Sequence, residues 1–386
     1  MNDKKKILAL RTLIMLLVFL MGIIGTGLIG PNRTSIEKEF SLSHGVFGAG
    51  IAAAQFFLAF SVLLLTPKIR KFSSLTVLTA ALLLISTGLT GIFFSRSVAA
   101  LSFFWSLVIL GAAVTAIANN ISMELWPDNP RKGVTLLHAF NSGGKVAGPV
   151  IVALSIAGGW RFSFMSVGLF AFSITAAFFI MRESEGPIKK AGPEKFDLSV
   201  LRSPFYWLSI SMFALIAGGE MAFTTLFPAF LEETKGYSPG KASIFLTVHL
   251  VGLMTGRFIS ANLKEKITNN SIIGACLLTG LFFFPAVYID HEAVRLVCLF
   301  FFGLIFSTTW PTYFAQASGF FSHEKEMFAY GSNLGNFMGF SIALLASSLV
   351  ADIDLTASLY FGPAMLWLFG VIYYCSGLSK NSGLLG

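Results

Sequence analysis

The chain has 386 residues, 55% hydrophobic and 12% charged, with 41 Phe and a mean hydropathy of +0.77. A soluble domain carries about 25% charged residues, so this composition excludes an ordinary water-soluble fold and makes lipid the main solvent. The net charge of +8 is spread over short loops between apolar runs; no basic face is interleaved with exposed aromatics, which excludes a nucleic-acid surface.

The first apolar run, Ile7 to Gly30, is too long for a signal-peptide core and has no small-residue cleavage pattern behind it. It reads as a retained membrane helix. Eleven further apolar spans follow, at about 45–65, 75–94, 97–124, 134–157, 160–181, 204–230, 241–263, 270–288, 293–318, 327–350 and 355–375. Each is long enough to cross a hydrocarbon core of about 30 Å. Pro127, Pro204, "AGGW" and "GYSPG" mark boundaries between them. The expected fold is therefore an all-α membrane protein of twelve transmembrane helices. Cys276, Cys298 and Cys375 lie in apolar segments without paired spacing and read as small hydrophobes. Most of the Phe residues are expected to face lipid.

The longest polar interruption is "RESEGPIKKAGPEKFDLSVLRS". It predicts an N-terminal six-helix bundle at 1–181, a cytoplasmic linker at 182–203 and a C-terminal six-helix bundle at 204–386. Lys and Arg number 18 on the side holding both termini and 7 on the other, so the positive-inside rule puts both termini in the cytoplasm. A bacterial inner membrane and a monomeric state are the corresponding expectations.

The halves repeat weakly. "FSLSHGVFGAG" from Phe40 aligns with "YSPGKASIFLT" from Tyr237, and "AFNSGGKVAG" from Ala139 with "AYGSNLGNFMG" from Ala329. These fall in the second and eighth spans and in the fifth and eleventh. "SGGKV" is not a phosphate loop, because Ala139 and Val146 stand where a Gly and a Ser or Thr are needed. No metal-ligand spacing and no Gly-x-Ser-x-Gly elbow occurs. An ATP-driven pump or an enzyme is thereby excluded, and secondary transport is what remains.

"TAIANNISMELWPDNPRKGVTLLHAFNSGGKVAGPV", "GGEMAFTTLFPAFLEETKGYSPGKASIFLTVHLVGLMTGRF" and "TTWPTYFAQASG" resemble major facilitator superfamily transporters. They are most similar to the fucose/glucose-galactose symporter branch. The resemblance implies two pseudo-symmetric six-helix bundles that alternate access to a midplane site. The sequence departs from the family in "TPKIRKF", which lacks the usual Gly and Asp. It also has Thr115 where that branch carries an acid. The first span holds no carboxylate, so proton coupling does not transfer directly.

Ionisable groups inside a bilayer normally face a cavity or a partner. Lys145, near mid-span, either contacts an anionic or hydroxylated solute or pairs with Glu220. Glu220 is the one carboxylate near the middle of a span and the first candidate for ion coupling, with H+ or Na+ as the ion and no other cofactor. His138, near a span end, and the deeper His249 are candidate contacts; Arg257 is a candidate gating residue. Gln55, Asn119, Asn120, Asn141, Asn333 and Asn336 supply amides for hydroxyls. Trp310 and Tyr313 supply aromatic planes, and Trp310-Pro311 is expected to break the tenth span. Gly144-x-x-x-Gly148 and Gly335-x-x-x-Gly339 read as close-packing sites.

The expected function is alternating-access transport of a small polar, sugar- or polyol-like solute. Alternatives are an organic-anion carrier using Lys145, a drug or lipid exporter, and, in a different class, a non-transporting membrane sensor.

Overall fold

The computed structural model describes residues 3–376, apart from 70–71, 115–117, 119–120, 122–124, 127–129, 183–200, 263–267, 308 and 322–324. The described residues are helical, with no strand among them. Among the described residues, eight helical stretches are long and apolar enough to cross a membrane, and Val98–Ala112 and Ile272–Tyr288 are shorter apolar helices. The chain forms two compact units. One comprises residues 1–41 and 54–195, the other residues 42–53 and 196–386.

The first unit opens with α1 (Asp3–Gly22), a π-helical turn (Ile23–Gly27) and α2 (Ile29–Phe40). This span runs about ten residues past the expected Gly30. Paired polar groups hold the extension. Arg33 Nε lies 2.7 Å from Glu37 Oε1, both fully covered. Asn32 Nδ2 donates to Leu28 O and to Ser163 Oγ, each at 2.9 Å. Pro31 falls in the first turn of α2, where a missing N–H costs little. The span ends at Ser41, whose φ of 52° closes the helix in the left-handed region.

α3 (His44–Ile69), which enters this unit from residue 54, α4 (Ser74–Phe94), α5 (Val98–Val114), α6 (Pro130–Ser155) and α7 (Trp160–Arg182) follow. α4 packs against α5 and α7, and α6 against α1 and the π-turn. The α6 contact is a close approach of backbones. A Cβ on Gly22 would strike Asn141 O, one on Gly144 would strike Phe19 O, and Gly27 and Gly148 meet face to face. Only glycines allow that spacing, so the "GGKVAG" pattern is a packing seam.

The second unit contains α8 (Pro204–Glu233), α9 (Pro239–Asn262), α10 (Thr268–Tyr288), α11 (Glu292–Phe306) and α12 (Thr309–Phe320). α13 (Lys325–Ala351), α14 (Leu355–Ser358) and α15 (Phe361–Cys375) complete it. α8 is its centre, with 83% of its most apolar window buried, and it packs on α9, α13 and α15. Gly335 and Gly339 of α13 lie against Ile210 O and Ala214 O of α8. In the tenth span α11 ends at Phe306 and α12 begins at Thr309; the expected break at Trp310-Pro311 adjoins Thr308, which lies outside the described residues.

The expectation that Phe mostly faces lipid is overturned in this unit. Phe213, Phe223, Phe227, Phe230, Phe283 and Phe302 are all at least 99% covered and form a stacked aromatic core, with Phe223 and Phe227 centroids 4.7 Å apart. α8 is apolar on every side, so composition alone cannot separate an inward ring from a lipid-facing one.

Candidate functional site

In the first unit, α6 carries His138, Asn141 and Lys145 at i, i+3 and i+7, along one stripe of the helix. All three are half-buried. Asn141 Nδ2 donates to Val18 O at 3.3 Å, and Ser142 Oγ donates to His138 O at 2.8 Å. The stripe is thus pinned to the first span beside the π-turn. Gln55 on α3 is buried, and its Oε1 has no hydrogen-bond partner. Asn119 and Asn120 lie outside the described residues.

In the second unit, Glu220 on α8 and Arg257 on α9 form an ion pair, Oε2 to Nη2 at 3.8 Å, with side-chain exposures of 8% and 13%. Both charges are removed from bulk water, and each is tolerated because the other is there. Thr224 Oγ1 donates to Glu220 O at 2.8 Å and ties off the next turn.

His249, about two turns from Arg257 along α9, is 1% exposed. Its ring lies between Phe223 and Phe302, with centroids 4.9 and 5.0 Å away, and its Nδ1 is 3.4 Å from Leu299 O. Tyr313 is equally enclosed, against Phe213, Phe369 and Tyr373. In this conformation both rings belong to the aromatic core. Trp310 is different. It is half-buried, its Nε1 donates to Asn336 Oδ1 at 3.1 Å, and its indole stacks on Phe314 at 5.1 Å with an 8° interplanar angle. The residues that join α12 to α13 are therefore an aromatic plane and an amide. Asn333 is half-buried one turn away on α13.

A second set of charges was placed in loops by the sequence and is built into the fold instead. Arg161 grips Glu39 through both Nη atoms, at 2.5 and 2.6 Å, and Trp160 Nε1 donates to the same carboxylate at 2.8 Å. The Arg161 hydrogen bonds hold the Glu39 carboxyl below its ordinary value against a smaller opposing effect of burial. Arg295, 1% exposed, donates to Ala286 O, Ile289 O and Tyr237 Oη. It also meets Asp290 at 3.2 Å, and Lys235 with Arg295 lowers the Asp290 pKa. The i, i+4 spacing of Arg33 and Glu37 was the available signal for a helical rather than a loop setting.

Stacked apolar spans, glycine seams between them and ionisable groups paired inside them define a multi-pass membrane protein. The sequence matches the Major Facilitator Superfamily over residues 14–347, and the chain belongs to that family. It is 25% identical over 367 residues to multidrug resistance protein 2 of Bacillus subtilis (strain 168), spanning 87% of this chain and 89% of that protein. It is 22% identical over 237 residues to a putative glucose/galactose transporter of Helicobacter pylori, spanning 56% of this chain and 58% of that one. Its fold is similar to that of a D-xylose-proton symporter, with a TM-score of 0.75 at 13% identity over 95% of this chain and 97% of that one. The resemblance noted in the sequence to the sugar-symporter branch agrees with the second of these relatives. The protein is a transporter and not an enzyme.

Proposed function

We propose that the protein is a cation-coupled carrier of a small, hydroxylated solute of the sugar or polyol class. The observation that carries this reading is the Trp310–Asn336 pair. A half-buried indole, fixed by its own N–H to an amide, offers a flat apolar surface beside hydrogen-bonding groups. A sugar presents the matching combination of an apolar ring face and a rim of hydroxyls. Asn333 is the further solute contact of the second unit in this reading, and Asn141, Lys145, His138, Gln55, Asn119 and Asn120 are the polar groups that the first unit offers to a solute. Glu220 carries the coupling proton, and Arg257 is the charge it releases and recaptures. The protein acts as a monomer in a bacterial inner membrane, with both termini in the cytoplasm.

A second reading is drug export, favoured by the relationship to the Bacillus protein over most of the chain. An organic-anion carrier centred on Lys145 and a non-transporting sensor are weaker, since neither uses Trp310. The test is flux into proteoliposomes under an inward proton gradient, with D-glucose, D-galactose, L-fucose, mannitol, an organic acid and a lipophilic dye offered separately. Accumulation of one sugar or polyol, lost in Trp310→Ala, is the expected result. Movement of the dye or the acid alone would overturn the proposal, and binding without flux would favour the sensor.

A further inference from the structure

Three covered polar atoms inside the second unit have no hydrogen-bond partner among the described residues and belong to neighbouring side chains. They are Ser209 Oγ of α8, and Tyr313 Oη and Gln316 Nε2 of α12. Ser209 is 0% and Tyr313 1% exposed. A serine inside a helix can spend its hydroxyl on the carbonyl one turn back, as Ser341 does on Phe337 O at 2.9 Å. Ser209 makes no such bond; its hydroxyl faces the Tyr313 phenol. The two oxygens do not meet in hydrogen-bond geometry. Tyr313 and Gln316 share a face of α12, one turn apart. Tyr373 of α15 completes the group. It donates to Gln316 Oε1 at 2.6 Å, which fixes the amide and leaves the N–H donors of Nε2 unspent. Its ring lies 6.2 Å from that of Tyr313. The surroundings are aromatic, with Phe213 and Phe369 on the Tyr313 ring at 5.0 and 5.5 Å.

We infer that Ser209, Tyr313 and Gln316 hold one buried water, which together with the Tyr373–Gln316 bond ties α8, α12 and α15 to one another. A stranded buried hydroxyl or amide costs more than an ordinary hydrogen bond gains, so native interiors rarely leave one unpaired. Three in one place match the needs of an internal water, which takes about two to four polar partners. A water also bridges groups that face each other without touching. The amide N–H can only donate, whereas each hydroxyl can donate or accept. A water satisfies all three, accepting from Gln316 and exchanging hydrogen bonds with Ser209 and Tyr313. A cation does not suit a site whose amide presents its N–H side, and an apolar guest would leave every one of these dipoles unpaired. Trp310 stands one turn before Tyr313 on α12, so the water steadies the helix that presents the indole. The site is independent of which solute is carried.

The test has two readouts on the full chain in lipid nanodiscs. Synchrotron radiolysis makes hydroxyl radicals from water in place, so a covered ring is hydroxylated only where a water sits beside it. Tyr and Phe react with the radical at similar rates. Tyr313 is expected to label several-fold faster than Phe227, which is 0% exposed and packed between Phe223 and Phe230. Equal labelling of the two rings would overturn the inference. The second readout is the sign of the melting shift in Tyr313→Phe. With a bridging water, the variant loses a hydrogen bond and leaves the water short of a partner, so the melting temperature falls; Ser209→Ala should lower it too. With a stranded phenol, deleting its oxygen removes a desolvated dipole, and the melting temperature holds or rises. That outcome would sink the inference. A lower melting temperature without enhanced labelling of Tyr313 would mean that Ser209 and Tyr313 bond each other directly, and it counts against the water equally. Should Tyr313→Phe fail to fold, the labelling of the wild-type protein decides.

Discussion

Glu220 and Arg257 meet between α8 and α9 with Oε2 and Nη2 3.8 Å apart and both side chains mostly covered. Losing one member of a buried pair strands the other charge, which typically costs 3–5 kcal/mol. Arg257→Met should therefore lower the melting temperature and folded yield sharply. The double variant Glu220→Gln with Arg257→Met, which removes both charges, should recover most of that loss. If Glu220 carries the coupling proton, the double variant still exchanges solute across the membrane but no longer concentrates it under a pH gradient. Melting curves and paired exchange and uptake measurements test both halves. A double variant no more stable than Arg257→Met alone would mean that the two side chains do not support each other.

The outer clamp of the first unit makes a pH prediction. Glu39 has its folded pKa lowered, first by the Arg161 hydrogen bonds. A lowered carboxylate contributes stability that is complete above its unfolded pKa, about 4.3. That contribution is lost as pH falls through the lower folded value. Glu39 is 38% exposed, so solvent screening limits the pair to about 1 kcal/mol or less. Wild type should melt above Glu39→Gln at pH 7, and the gap should close progressively below about pH 4. A gap that is unchanged in acid would assign the difference to packing.

What the sequence revealed of this fold followed from physics that acts one segment at a time. Hydrocarbon thickness sets the length of an apolar run, so the spans were visible. Backbone contact needs a small residue every fourth position, so the seams at Gly144/Gly148 and Gly335/Gly339 were visible too. The interior of the second unit was not. α8 is apolar on every side, and nothing local distinguishes Phe223, stacked in the core, from a ring facing lipid. His249 and Tyr313 looked like solute contacts because their chemistry suits one; only the three-dimensional packing of Phe223, Phe302 and Phe369 encloses them. Arg33 and Glu37 escaped for the opposite reason. A hydropathy window ends where charges begin, yet these two neutralise each other one turn apart and let the helix continue to Phe40.

Asp352 provides another measurable contact. It accepts from Ser43 Oγ at 2.9 Å and from Gly45 N–H at 3.0 and 3.1 Å. It thus caps the first turn of α3, whose residues 44–53 belong to the second unit. A carboxylate on the free N–H groups of a helix start is stabilising, by hydrogen bonding and by the helix dipole. Asp352→Ala is expected to cost about 1 kcal/mol, read as a lower melting temperature, and Asp352→Asn a smaller part of it. Hydrogen exchange should locate the loss at residues 43–47. Protection unchanged there in Asp352→Ala would show that the cap does not hold the helix start.

Two glycines separate packing from propensity. A Cβ on Gly339 would run into Ala214 O of α8, whereas one on Gly274 in α10 meets nothing within 4 Å. Gly339→Leu must push α13 off α8, which are the most extensively packed helices of the second unit. Overpacking of this kind costs about 1–3 kcal/mol, and more when backbone is in the way. Gly274→Ala only removes backbone freedom from the unfolded chain and improves helix propensity, worth roughly 0.5–1 kcal/mol in favour of the folded state. The melting temperatures should therefore move in opposite directions, down for Gly339→Leu and slightly up for Gly274→Ala. A Gly339→Leu protein as stable as wild type would mean that α8 and α13 do not approach through their backbones. The aromatic core that this approach encloses would then need a different explanation.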